Sequence, residues 1–317
     1  MGFKVLGTGS YVPERIVTND ELSQMVETSD EWIVQRVGVR ERHVSVDETT
    51  ADMGIRAAAR ALEAAGIKAE ELGLIVTATC TGDSLCPSTA ALIQRGIGAS
   101  CPAFDVNSAC SGFLFALETA AALMEKNHLK YVLVLGAEHL SRVIDWHDRS
   151  TCVIFGDGAG AAVLGEGQSN LASRLFTQGN DEVLSIPAGK SNSPFYTREE
   201  TPYKVYMNGQ ETFKFAVRRM AEDLQLLCAD AGLTTDDLSF IVPHQANTRI
   251  IDLTARRLKI PMEKFVLNIE KYGNTSSASV PISFDELVRS GKLKKGDKIA
   301  MCAFGGGLSS AGVILEW

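Results

Sequence analysis

The chain has 317 residues, of which 45% are hydrophobic and 22% charged, the composition of an ordinary folded protein with a sizeable core. A formal charge of -8 excludes nucleic acid as the main partner, so any basic contact surface must be local. No apolar run reaches the ~18 residues of a membrane span, and the opening MGFKVLGTGSYVP lacks the long apolar stretch of a signal peptide, which points to a cytoplasmic protein with no membrane partner.

In chain order, the first informative stretch is AGIKAEELGLIV at 65–76, which reads as a helix ending at Gly66, a short acidic turn and a buried strand. PAFDV (102–106) is a further strand, and it leads into the helical pattern CSGFLFALETAAALM (110–124). That helix is apolar almost all round, through Phe113, Leu114, Phe115, Leu117, Leu123 and Met124, and is expected at the centre of the core. The strand KYVLVLGAEHL follows. FGDGAGAAVLG (155–165) lacks G-x-G-x-x-G spacing and runs into a β-like segment instead of a helix, which excludes a dinucleotide site; its glycines suit two closely packed backbones.

Residues 181–210 are polar and rich in turn formers, the pattern of a connection lying over the surface. AGLTTDDLSFIV at 231–242 then repeats 65–76 without a gap, about half a chain later, so one α/β unit is present twice. KFVLNI, NTSSASVPISFDELVRS and DKIAMCAFGGGLS repeat the strand–helix–strand order of the first half. The expected division is therefore into halves 1–170 and 171–317, related by a pseudo-twofold axis.

In that arrangement Cys110 and Asn274 hold similar places, each at the start of the third-layer helix of its half, and His244 directly follows a buried strand. Symmetry would bring the three together. Taken alone, Cys110 reads equally as a packed core thiol or as a nucleophile, because a helix N-terminus can lower a thiol pKa from ~8.5 toward neutrality. His244 alone reads as structural and Asn274 as a turn or cap residue. The seven cysteines (80, 86, 101, 110, 152, 228 and 302) form no C-x-x-C pair and have no His at zinc-ligand spacing, so free thiols and no structural metal are expected. FGGG at 304–307 is not a P-loop, having no following Lys-Ser/Thr, but a backbone without side chains suits an oxyanion hole.

SDEWIVQRVGVRERH, DVNSACSGF, DRSTCVIFGDGAGA, HQAN, YGNTSSASVP and FGGGL, in this order and spacing, resemble the β-ketoacyl-[acyl-carrier-protein] synthase III family over essentially the whole chain. The resemblance implies a thiolase-like α/β fold, two pseudo-twofold-related halves forming a layered α/β/α/β/α core. It implies a decarboxylative Claisen condensation of an acyl-CoA primer with malonyl-[acyl-carrier protein], initiating type II fatty-acid synthesis by a ping-pong route through acyl-Cys110. His244 and Asn274 would stabilise the malonyl enolate, and the N–H groups of Cys110 and Gly306 would form a second oxyanion hole.

The resemblance further implies CoA binding by Trp32, Arg36, Arg149, Gly209 and Asn247, through aromatic stacking and guanidinium–phosphate contacts. It implies carrier-protein binding by Lys214, Gln245, Ala246, Asn247, Thr248, Arg249, Arg256 and Arg257, a local basic face on an acidic chain. No cofactor is implied, and a homodimer is. Cys86 stands where many members carry a bulky Phe that limits the partner's acyl pocket, so a primer longer or more branched than acetyl is expected. An acyltransferase or ketosynthase of secondary metabolism with the same Cys-His-Asn set is the alternative. A papain-like hydrolase would need a CGSCW-like context near its N-terminus, and that context is absent.

Overall fold

The computed structural model describes residues 2–189, 191–197 and 202–317. The first sheet contains β1 (Gly2–Tyr11), β2 (Leu74–Ala78), β3 (Ala103–Val106), β4 (Tyr131–Glu138) and β5 (Gly158–Gly167), in the order β1-β5-β4-β2-β3. The second contains β6 (Asn170–Asn180), β7 (Phe240–Pro243), β8 (Lys298–Gly305) and β9 (Gly307–Glu316), in the order β7-β8-β9-β6. β2 runs parallel to β3 and β4, and β7 parallel to β8, so each of these pairs needs a crossover, and helices supply it.

The helices longer than one turn are α1 (Asp30–Arg36), α2 (Thr50–Ala65), α3 (Thr89–Ile97), α4 (Gly112–Asn127), α5 (Gly209–Asp230), α6 (Thr248–Leu258) and α7 (Ser279–Arg289). α2 and α3 cover the outer face of the first sheet, packing Ala57, Ala61 and Ile93 on Ile75, Leu133 and Leu135. α4 and α7 lie between the sheets, where Phe113, Leu117, Phe284 and Leu287 meet Val76 and Val134 from one side and Val242, Met301 and Val313 from the other. α5 and α6 cover the second sheet. The α/β/α/β/α layering follows from these three cores. Each large side chain of the central layer contributes about 1.5–3 kcal/mol by leaving water.

The repeated segments fold alike. α2 closes on Gly66 at φ 66°, a single 3-10 turn spans Ala69–Glu71, and β2 follows; α5 is followed by Gly232 at φ 67°, a 3-10 turn over Thr235–Asp237, and β7. Only glycine takes this left-handed closure without cost, which is why the repeat keeps it.

Three sequence expectations are corrected. KFVLNI is not a strand: Phe265 makes one isolated parallel bridge to Ile241. The Gln245 side chain supplies the hydrogen bonds a ladder would have made, donating to Val266 O at 3.0 Å and accepting from the N–H groups of Asn268 and Ile269 at 3.1 and 3.2 Å. The connection 181–210 does more than cross the surface, because Leu184, Ile186 and the buried Val205 line a cavity. Finally, the counterpart of Cys110 is Ser277, and that of Asn274 is Asn107. The 3-10 turns Ala109–Ser111 and Ser276–Ala278, which introduce α4 and α7, set this register.

Candidate active site

Cys110 lies in the turn before α4. Asn107 Oδ1 accepts from Ala109 N at 3.2 Å, and Ala109 takes φ 45°, a left-handed conformation costing about 1 kcal/mol for a residue with a side chain. Behind the thiol stands the end of β8, where a Cβ on Gly305 would fall 2.7 Å from Cys110 N. Glycine at 305 is therefore what allows Cys110 to sit there.

Two cavities meet at Cys110. One, of about 660 Å³, also reaches His244, Asn274, Phe304, Ala246, Asn247, Gly209, Lys214, Arg249, Arg36 and, at its mouth, Trp32. The other, of about 480 Å³, is lined mainly by apolar groups, among them Phe115, Leu140, Phe155, Leu184, Ile186 and Val205, together with Gly306, Ser276 and Cys80. The thiol thus faces a passage to the surface on one side and an apolar chamber on the other.

Burial pushes the Cys110 thiol up to about 12, against the Ser276 hydroxyl, which favours the thiolate. Cys110 therefore rests as the neutral thiol, where the helix terminus alone had suggested a pKa lowered toward neutrality. His244 is also buried; its Nδ1 lies 2.6 Å from Ser279 Oγ and its ring stands edge-on to Phe304 at 5.2 Å. Desolvation pulls its pKa down to about 3, so the imidazole is neutral near pH 7. Asn274 is held through its backbone, N to Ile154 O at 2.9 Å and O from Gly156 N at 3.0 Å. Its Oδ1 accepts from Ser276 N at 2.8 Å, which leaves the amide nitrogen for the cavity.

At the mouth, Trp32 is flanked by Arg149 at 4.8 Å and Arg36 at 6.0 Å from its ring centre. Asn247 caps α6, accepting from Arg249 N at 2.9 Å, and its amide donates to Arg36 O at 3.0 Å, tying the two rims together. Gly209 opens α5, and Arg249 lies over Phe213 at 5.5 Å.

The family model for 3-oxoacyl-[acyl-carrier-protein] synthase III matches residues 104–179, and that for its C-terminal part matches 228–317. The β-ketoacyl-[acyl-carrier-protein] synthase III of Clostridium beijerinckii is 50% identical over 99% of this chain and 99% of its own. That of Clostridium acetobutylicum is 46% identical over 99% and 98%. The chain belongs to the β-ketoacyl-[acyl-carrier-protein] synthase III family. The crystal structure of 3-oxoacyl-[acyl-carrier-protein] synthase III from Aquifex aeolicus, 44% identical, covers 100% of both chains with a TM-score of 0.93. The synthase III fold is thus shared from end to end.

Within this synthase III site, Cys110, His244 and Asn274 share one cavity, as the repeat predicted, and Gly306 lines the other beside Cys110. The residues expected on the docking face divide. Lys214 and Arg249 are exposed at the mouth, with Lys214 bonded to Glu211 at 2.8 Å. Gln245 leaves the set: it is buried, and both ends of its amide are used inside the protein. Thr248 turns to Val37 O at 3.3 Å. Arg256 and Arg257 lie in the last turn of α6, and Arg256 is paired with Asp252 at 3.1 Å.

Cys86, exposed beside Pro87, lies outside the walls of both cavities of its own chain. Sequence reasoning missed Ser276, Ser279 and Glu138. Glu138 had a signal, a carboxylate closing the apolar run YVLVLGAE; the serines, in a run of small polar residues, had none. Among the described residues no helix is long and apolar enough to cross a membrane.

Proposed function

We propose that this synthase III joins an acyl-CoA primer to malonyl-[acyl-carrier protein] with loss of carbon dioxide, forming a 3-oxoacyl-[acyl-carrier protein] and initiating fatty-acid synthesis. The observation that carries the reading is the meeting of two cavities at one thiol. The primer enters past Trp32 with its nucleotide against Arg36 and Arg149, and its acyl group passes to Cys110 and into the apolar chamber. CoA leaves. Malonyl-carrier protein then docks at the same mouth, over Lys214, Ala246, Asn247 and Arg249.

His244 and Asn274 receive the malonyl thioester oxygen as decarboxylation places charge on it. Gln245 N donates to Ser279 Oγ at 3.4 Å, so the Ser279 proton is available for His244 Nδ1. That leaves the imidazole proton on Nε2, as a donor must have it, and a neutral donor gives up no proton to the enolate. The N–H groups of Cys110 and Gly306 hold the oxyanion of the acyl-transfer steps. Thiol, imidazole and amide carry the whole sequence, so the reading assigns no cofactor.

The reading places the enzyme in the cytoplasm and makes it a homodimer across the edge strand β3. Support for the dimer is the free edge of β3 and, near it in sequence, Leu85, 98% exposed. A primer longer or more branched than acetyl fits the chamber of about 480 Å³ and the small Cys86. Mass spectrometry after mixing with acyl-CoAs tests the first half-reaction: an acyl adduct on Cys110 is expected, and its absence with every primer overturns the reading. Relative rates with acetyl-, isobutyryl- and hexanoyl-CoA test the primer class, and strict acetyl preference removes it.

A further inference from the structure

Acylation requires Cys110 to lose a proton, and the groups described so far do not take it. His244 has its Nδ1 on Ser279, and its imidazole is held neutral with little affinity for a further proton. One carboxyl group is wired to the thiol. Glu138, at the end of β4, has no exposed surface. It accepts from Ser277 Oγ at 2.7 Å, Cys80 N at 3.2 Å, Ser276 Oγ at 3.2 Å, Thr79 Oγ1 at 3.3 Å and, closely, Thr81 Oγ1. Ser276, which also stands 3.9 Å from the Cys80 sulfur, lines the same chamber as Cys110 and is the hydroxyl that favours its thiolate. It is aimed between the two by a left-handed backbone at φ 50° and by its N–H bond to Asn274 Oδ1. A serine hydroxyl can accept from one neighbour while donating to another, so Ser276, bonded to Glu138 at 3.2 Å and facing the chamber that Cys110 faces, is placed to link thiol and carboxylate.

We propose that Glu138 stores the Cys110 proton during the reaction, passing it in both directions through the Ser276 hydroxyl. In acylation the Cys110 sulfur bonds to the thioester carbonyl carbon, its proton moves to Ser276 Oγ, and the Ser276 proton moves to Glu138. The carbon–sulfur bond to CoA breaks, and the CoA thiolate takes a proton from solvent. In condensation the carbanion left by carbon dioxide bonds to the acyl carbon and the Cys110–acyl bond breaks. The released Cys110 thiolate recovers the stored proton from Glu138. One solvent proton is consumed per turnover, on CoA.

Burial raises the affinity of Glu138 for a proton, in the direction a storage role needs. The titratable groups facing it are Cys80, from the loop after β2, and Cys110; the remaining contacts are the hydroxyls and backbone already named. The adjacent His139 ring faces Asp157 at 3.9 Å. Glu138 acts through Ser276 and is a positioning residue for the thiol. This role rests on the proposed acylation of Cys110.

The test compares the unaltered protein with Ser276→Gly, which removes the hydroxyl and relaxes the left-handed backbone, and with Glu138→Gln. Single-turnover acylation is read as a function of pH, and alkylation of Cys110 by iodoacetamide at pH 7 is read by peptide mapping. Both variants are expected to acylate about 10²-fold more slowly near neutral pH, with the deficit closing as pH rises and hydroxide replaces the relay. Alkylation is expected to slow as well. A Glu138 that acted only as a fixed negative charge would oppose the thiolate, so its removal would speed alkylation; faster alkylation in Glu138→Gln, or unchanged rates in Ser276→Gly, overturns the relay. If Glu138→Gln fails to fold, Ser276→Gly decides. If the unaltered protein takes no acyl group, the proposed function fails, while the alkylation comparison still judges the relay.

Discussion

At the start of α4 and at the start of α7 the chain makes the same turn twice. Asn107 Oδ1 accepts from Ala109 N, and Asn274 Oδ1 from Ser276 N; Ala109 and Ser276 take φ 45° and 50°; a 3-10 turn then opens each helix. The partners across the pseudo-twofold axis correspond too. Gly305 closes β8 against Cys110, and Glu138 closes β4 against Ser277. What differs is the side chains. In one copy a thiol meets a bare glycine and two cavities, and in the other a hydroxyl meets a buried carboxylate. A single backbone device can therefore carry a thiol between two cavities in one half and a hydroxyl on a buried carboxylate in the other.

Changes made in pairs across the axis can break this comparison. Cys110→Ala is expected to abolish the acyl adduct and the condensation entirely. Its counterpart Ser277→Ala, which gives up bonds to Glu138 and to Ala78 O at 2.7 and 3.0 Å, should keep the adduct and cost about 1–3 kcal/mol of stability, read by denaturant unfolding. Equal loss of activity in the two would mean that the halves do not divide the work.

Asn274→Ala should slow condensation by ~10²–10³-fold while acylation persists. Asn107→Ala, absent from the cavity that holds His244 and Asn274 although it lines the acyl chamber, should cost about 1 kcal/mol of stability and leave the condensation step near its original rate. Gly305→Ala should slow acylation by roughly 10²-fold, because the new Cβ displaces Cys110 from its position.

A pH-dependent effect on stability alone concerns His244. Its folded pKa of about 3 lies below the ordinary histidine value of 6.5, so between these values the unfolded chain binds a proton that the folded chain does not. Stability from this residue is present above pH 6.5 and is lost as pH falls toward 3, by at most about 1.4 kcal/mol per pH unit. His244→Gln should flatten the decline of Tm between pH 7 and 5, and an unchanged slope would show that the imidazole is not held neutral.

Much of this was legible in the sequence. The paired AGIKAEELGLIV and AGLTTDDLSFIV segments announced two α/β halves, because the left-handed glycine and the acidic turn are local requirements that each copy must meet alone. The apolar girth of α4 announced a central helix. The convergence of Cys110, His244 and Asn274 was legible only through that repeat. Glu138 was not, since its partners Thr81, Ser276 and Ser277 come from segments far apart in the chain and their bonds form only when the halves pack. Gln245 was misread for the same reason: an amide beside His244 looks like a contact for a partner until Val266, Asn268 and Ile269 are folded against it.

By itself the sequence determined the family, the two α/β halves and most of the order of strands and helices, and it singled out Cys110, His244 and Asn274 as residues that meet. These depend on local periodicity and on residue types that carry their own chemistry. The protonation of the thiol, the neutral state of His244, the two cavities and the buried carboxyl group of Glu138 beneath Ser276 and Ser277 were decided only by the tertiary structure. Each depends on how much water is removed and on which distant groups replace it, and desolvation is a property of the packed interior that no stretch of sequence possesses alone.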